Sequence, residues 1–259
     1  LIRNDIQKSK LITIIIAVFI LLTALLTSLA ASLLVNLLGS VDTLMEQAKT
    51  PHYMQMHSGD IDRERLQQFA DSHENVEASQ ILEFLNLDGS QIVIGQNTLT
   101  DSVQDNGLSA QSNAFDYLLD LEGQIIQPAD GEIYVPIYYL NEGIAKVGDA
   151  VEIHSVSFTL AGFLRDSQMN SAIISSKRFL VSEDDFERVR SFGNLEYLIE
   201  FRFADTSSIA TFESTYLAAG LENNGPVVTS SLIRLANAMS DGVMIAVLML
   251  ISRLVIIVT

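Results

Sequence analysis

Six consecutive residues, His52-Tyr53-Met54-Gln55-Met56-His57, put two imidazoles and two thioethers into one short stretch. Such soft ligands suit copper(I). The spacing argues for something plainer. In a strand His52, Met54 and Met56 share one face, while Tyr53, Gln55 and His57 share the other. The pleat separates the two histidines, so the stretch reads as a β-strand and no metal is assigned to it.

Other chemistry is equally thin. The sequence holds no G-x-x-x-x-G-K-S/T phosphate loop, so it does not hydrolyse ATP by that route. Neither H-E-x-x-H nor G-x-S-x-G occurs. His73 and His154 stand alone, as surface or hydrogen-bonded histidines usually do. Glu183, Asp184 and Asp185 form an acidic run that reads as a solvated face. Tyr134, Tyr138 and Tyr139, with Phe158 and Phe163, could line a substrate surface, but core packing is the simpler use. No pair of groups suggests assigned roles, so the sequence names no catalytic residue, cofactor-binding residue, metal ligand or cofactor.

Composition narrows the class. The chain has 259 residues, enough for one large domain or two small ones, and its formal net charge is −17. That charge excludes a nucleic-acid binder, which needs clustered cations. There is no cysteine, so disulfides and thiolate metal sites are excluded. The first residue is Leu rather than Met, and the reading expects a fragment of a longer protein.

Both ends look like membrane spans. From Leu11 to Val41 there are 31 residues without a charge, apolar on every face at the start. A bilayer takes about 20 helical residues, so the surplus should continue as a stalk that stops near Pro51. A cleaved signal peptide, with Ser28-Leu29-Ala30 as the processing site, is the competing reading. Its apolar region usually runs only ~7–15 residues. Gly242 to Thr259 carries Arg253 as its one charge, and the reading expects a second span that starts earlier or is cut short. Arg253 is out of place there, since mid-bilayer arginine costs ~2.5–3.5 kcal/mol on insertion scales.

Charge sets the orientation. Residues 1–10 hold three basic side chains against one acidic, whereas residues 42–233 hold 10 basic and 30 acidic ones. Short basic flanks stay inside. The N-terminus is therefore expected in the cytoplasm, with residues about 42–233 outside a bacterial cytoplasmic membrane.

The outside portion reads as α+β. Residues 51–89 give strand, helix and strand, with Asp60 as the helix cap and Asp88-Gly89 as the closing turn. Residues 191–230 repeat the pattern. In LEYLIEFRF, Tyr197, Ile199, Phe201 and Phe203 alternate with Leu198, Glu200 and Arg202, as in a half-buried strand. Two β-α-β units bracketing an insertion suggest a split ferredoxin-like subdomain. The insertion, 90–190, reads as β-rich. It has an exposed polar loop over 96–114, strands at EIYVPIYYL, VEIHSVSFTLAGFL and SAIISS, and a short helix capped by Ser182. The flanking divisions are 1–50, holding the cytoplasmic flank, first span and stalk, and 231–259, holding the second stalk and span.

One segment carries a resemblance. GEIYVPIYYLNEGIAKVGDAVEIHSVSFTLAGFLRDSQMNSAIIS resembles the periplasmic core of MacB-like and FtsX-like ABC transporter permeases. Val147-Gly148-Asp149, Phe158, Gly162 and Asp166 stand where that family has its "vGD" turn and its paired strands. The resemblance implies a permease subunit with no enzymatic activity of its own. Its partners would be a cytoplasmic ABC ATPase, a second permease half or a homodimer mate, and membrane lipid. The ATPase cycle would move the outside domain, for export or extraction in MacB-like members and for hydrolase activation in FtsX-like ones. That family continues through further membrane helices that this sequence does not contain. The alternative is the ectodomain of a two-helix sensor of the histidine kinase or chemoreceptor type; a structural or adhesive membrane protein has no positive support.

Overall fold

The computed structural model describes residues 2–171 and 174–240, so the second span expected over 242–259 lies outside the described residues. In chain order the helices and strands are α1 (Ile2–Gln47), β1 (Tyr53–Ser58), α2 (Arg63–Asp71), β2 (Val76–Leu87), β3 (Ile92–Ile94), β4 (Asn97–Thr98) and β5 (Asp105–Ser109). There follow β6 (Glu132–Pro136), α3 (Ile137–Asn141), β7 (Ala150–Ile153), β8 (Val156–Leu164), β9 (Ser176–Leu180) and α4 (Glu183–Val189). The last are β10 (Asn194–Phe203), α5 (Ile209–Ala218), β11 (Val227–Thr229) and α6 (Ser230–Ser240).

Residues up to Ser40 belong to one unit and Val41–Asn237 forms another. In the first, Ile12–Leu29 is long and apolar enough to cross a membrane by length and composition, and none of it is buried. Two of its hydroxyls bond back within the helix: Thr23 Oγ1 donates to Phe19 O and Thr27 Oγ1 to Thr23 O, both at 2.8 Å. α1 ends at Gln47, one turn before the expected stop at Pro51. Lys49, at φ 48°, then takes the left-handed conformation that turns the chain.

The second unit is built on an eleven-stranded sheet in the order β11-β1-β10-β2-β5-β9-β6-β8-β7-β3-β4. The first four strands are antiparallel throughout, and they come from β1-α2-β2 and β10-α5-β11. This is the split β-α-β arrangement expected of a ferredoxin-like half. The chain is a mixed α+β protein with a large sheet and an apolar N-terminal helix. α2 and α5 cover one face of that half, where Tyr53, Leu66, Phe201, Phe203, Phe212 and Tyr216 form an aromatic-rich core. A second core gathers around β6, β7 and β8, with Tyr139, Val151, Phe158, Leu160 and Phe186 among its members.

Several local expectations need correction. The span 96–114 is not an exposed loop: β5 lies inside it and pairs with β2 and β9, so one sheet runs through the whole unit. Its turn-like DNGLS is a strand because Gly107 makes room for a ring; a Cβ there would sit 2.2 Å from Phe84 Cζ. α2 is capped by Asp62, which accepts from Arg65 N at 3.0 Å, and not by Asp60. Strand β9 begins at Ser176, after most of the SAIISS stretch. Tyr138 and Tyr139 fall in α3 rather than in a strand. The acidic run is not wholly solvated: Asp185 is buried, bonded by Gly131 N at 2.6 Å and by Arg188. The Ser182 cap holds, accepting from Asp185 N. Finally, β10 is not half-buried. Leu198 and Glu200, on the face expected to be open, are both fully buried.

Candidate functional site: a helix junction tied to a buried charge cluster

The residues of the opening stretch part as the pleat requires. Met54 and Met56 pack with Phe84, Met169 and Leu198, while His57 Nε2 is 2.9 Å from Asp60 O. His52 Nδ1 accepts from Phe203 N at 2.9 Å, and burial, then Arg202, holds its pKa below the usual value. His73 Nδ1 lies 2.8 Å from Phe69 O, with the ring against Phe69 and Phe212. Tyr139 is buried, with its hydroxyl bonded to Asn106.

The motif residues have structural duties. Gly148 adopts φ 91° in the turn before β7, which Asp149 N closes by donating to Lys146 O at 3.0 Å, while Gly148 N donates across to Leu160 O on β8 at 2.9 Å. Asp149 Oδ2 accepts from Lys146 N at 2.9 Å. Phe158 is buried in the β6–β8 core. At Gly162 a Cβ would meet the Tyr134 ring at 2.9 Å. Asp166 leads to the feature the sequence did not disclose.

Arg178 on β9 is 1% exposed and pairs with two buried carboxylates, Asp116 at 2.7 Å and Asp166 at 2.8 Å. Burial alone would weaken its charge, but the two aspartates more than offset that and raise its pKa. Asp166 Oδ1 also accepts from Gln168 N at 2.8 Å and Met169 N at 3.1 Å. Alongside lies Glu200 on β10, its Oε1 bonded by Gln168 Nε2 and its Oε2 by Gln80 Nε2, both at 2.8 Å. Ser112 Oγ donates to Gln80 Oε1 at 3.0 Å. Next to the cluster, Lys177 Nζ donates to the carbonyls of Ser171, Ile174 and Ser176. Burial pulls the Lys177 pKa down to about 8.

Two helix ends meet this cluster. Past α1, Ala48 O accepts from Tyr117 N at 2.8 Å and Lys49 O from Asp116 N at 3.1 Å. Thr50 O accepts from Arg202 Nη1 at 2.7 Å, and Thr50 Oγ1 donates to Ser167 Oγ at 2.6 Å. On α6, Ala236 O accepts from Ser171 Oγ at 3.0 Å. Val41 and Met45 of α1 pack on Ile233 of α6 and on Val228, and Arg234 pairs with Asp42 at 2.7 Å. The 111–119 segment therefore grips the end of α1, and the 166–171 segment grips α6. Arg178 binds an aspartate from each.

What this arrangement does is hold position. Among the described residues no group of three or more His, Cys, Asp or Glu side chains could hold a metal ion. Little in the order of residues forewarns of the cluster. Asp116 lies just past the polar 96–114 stretch, Arg178 just past the strand read at SAIISS, and Glu200 looks like a single charge within a strand. A charge amid an otherwise apolar strand was the available signal.

No family model matches the chain, and no curated protein does. Among solved structures, the periplasmic region of MacB from Actinobacillus actinomycetemcomitans is 12% identical. The likeness covers 74% of this chain and 94% of that one, with a TM-score of 0.38. The extracellular domain of the noncanonic ABC-type transporter YknZ from Gram-positive bacteria is 9% identical over 68% of this chain and all of that one, with a TM-score of 0.34. A Bacillus anthracis protein provisionally classed as a lipoprotein is 8% identical over 68% of this chain and 96% of that one, with a TM-score of 0.40. Likenesses at this level show no shared family.

Proposed function

We propose that this chain belongs to a permease subunit of an ABC-type system of the MacB- and FtsX-like kind. It sits in a bacterial cytoplasmic membrane with its N-terminus inside and residues about 42–233 outside. A separate cytoplasmic ATPase shifts the membrane helices, and the junction passes that movement to the sheet for export, extraction or regulation at the outer face. Residues 90–190, which carry both gripping segments, receive the movement, and residues 51–89 and 191–230 make the ferredoxin-like half to which it passes.

The observation that carries this reading is the double grip. The end of α1 and the start of α6 are packed together, and each is held by a segment whose aspartate pairs with Arg178. Packed elements of this kind respond as units rather than deforming gradually. The motif around Gly148 and the apolar stretch Ile12–Leu29 add the family resemblance and the anchor.

Within this chain no native cysteine competes for a thiol reagent. In Asp42→Cys/Arg234→Cys, a short bismaleimide should clamp α1 to α6. The subunit, purified from its native membrane, should carry a phosphate-loop ATPase whose hydrolysis falls severalfold once clamped. Co-purification of no such ATPase, or a clamp that alters a cytoplasmic kinase instead, refutes the permease and favours the sensor.

A further inference from the structure

We propose that Glu200 is a buried proton-binding residue, neutral at neutral pH, whose ionisation releases the 111–119 and 166–171 segments from the sheet. The inference does not depend on the permease reading. It rests on the count of charges in a sealed cluster.

Asp116, Asp166 and Glu200 are three carboxylates at 1% exposure or less, and Arg178 is the one guanidinium among them. Both ion pairs of Arg178 go to the aspartates. Among the described residues, Glu200 is bonded only by two neutral amides, those of Gln80 and Gln168. An isolated buried carboxylate is costly enough that the group takes up a proton instead.

Among the described residues, the groups around Glu200 offer no cation that is not already engaged elsewhere. From β1 its register partner is Met54, and from β2 it is Gln80. Along β10, Leu198 is apolar, and Arg202 Nη1 is turned to Thr50 O. The 166–171 segment brings Asp166 and Gln168, the 111–119 segment Ser112 and Asp116, and β9 Arg178. Lys177 is held by its three carbonyls, and the His52 ring accepts from Phe203 N.

The hydrogen-bond inventory agrees. Asp116 Oδ1 and Gln168 Oε1 are buried acceptors without a donor among the described residues, and Arg178 Nη2 is a donor without an acceptor. A carboxyl proton on Glu200 adds the donor that a carboxylate lacks. Burial pushes the Glu200 pKa well above the usual range. The Asp116 charge pushes it further, and Arg178 only partly opposes this.

The sign follows from linkage. Opening the two segments exposes Glu200, which then ionises near its ordinary pKa of about 4.3. Each opening therefore releases one proton. The stabilisation is complete below that ordinary value, declines as pH rises, and is lost once pH passes the raised folded-state value. Between the two, the opening constant climbs about tenfold per pH unit.

Amide hydrogen exchange on the full chain in detergent, corrected for intrinsic rates, reads this directly at Asp116, Tyr117, Gln168 and Met169. Wild type should exchange about tenfold faster per pH unit from about pH 5 upward, and Glu200→Gln, whose side-chain oxygen still accepts from an amide, should lack that one-proton slope. Equal slopes in the two proteins overturn the proposal. Infrared spectroscopy supplies a readout that survives a variant failing to fold. Wild type at neutral pH should show the carbonyl band of a buried protonated carboxylic acid, and absence of that band overturns the proposal by itself.

Discussion

Tyr197, Ile199, Phe201 and Phe203 leave β10 on one side, and Leu198, Glu200 and Arg202 leave it on the other. The two sides are buried by different chemistry. On the first, Phe212 lies 4.9 Å from Phe201 and 4.7 Å from Phe203, ring centre to ring centre, in edge-on contacts. Tyr53 and Tyr216 join them, and burial raises both phenol pKa values. On the second, Leu198 packs with Met54, Met56, Phe84 and Met169, and Glu200 takes directional bonds from Gln80 and Gln168 beside the ion pairs of Arg178 with Asp116 and Asp166. Apolar packing rewards area and tolerates rearrangement. A buried ion pair gives little net stability but penalises any departure from its geometry. The comparison suggests that the first side supplies cohesion and the second fixes where the helix-gripping segments sit.

The largest test of that contrast removes one anchor from each side. Arg178→Ala should cost about 3–5 kcal/mol, because it strands two buried carboxylates. Phe212→Ala should cost about 3–5 kcal/mol through its cavity. Denaturant unfolding of the full chain in detergent would measure both. The conservative variants then separate the sides. Phe212→Leu should recover most of the loss, since apolar packing is not directional. Arg178→Lys should recover little, since one ammonium lacks the fork that serves two carboxylates. Full rescue by Lys would erase the proposed difference.

A smaller effect is expected where β5 joins the two halves of the sheet. Gly107→Ala would drive a Cβ to 2.2 Å from the Phe84 ring, and overpacking of this kind costs about 1–3 kcal/mol. Protection of the β2–β5 amides against exchange should fall in step. Unchanged protection would mean that Phe84 moves aside freely and that the sheet is less continuous than it looks.

The smallest effect belongs to the junction surface. Asp42 and Arg234 are both more than half exposed, so Arg234→Ala should cost only about 0.2–1 kcal/mol, less at high salt. A larger loss would shift the mechanical role from the buried cluster to the outer face of the helix pair.

How much of this was legible depended on the range of the interaction. The strands at Tyr53–Ser58 and Asn194–Phe203, the helices between them and their partners, and the left-handed turn at Gly148 all follow from local spacing. The division of the HYMQMH stretch between two faces followed from the pleat alone. The cap at Asp62 was misplaced by two residues, since Asp60 and Asp62 carry the same side chain and differ only in where the helix begins. β5 was missed because a glycine and two polar residues in a buried strand look like a turn until Phe84 is seen above them.

By itself, the order of residues determined a long uncharged helix and two β-α-β units around an insertion, because these depend on neighbours a few positions apart. Only the tertiary structure decided that β10 is covered on both sides. Its second cover comes from Asp116, Asp166, Gln168 and Arg178, which are separated from Glu200 by 22 to 84 positions and carry no periodic signal. Whether a charge in a strand meets water or a buried partner depends on which distant segments fold over it, and the desolvation of that charge is fixed by the assembled whole.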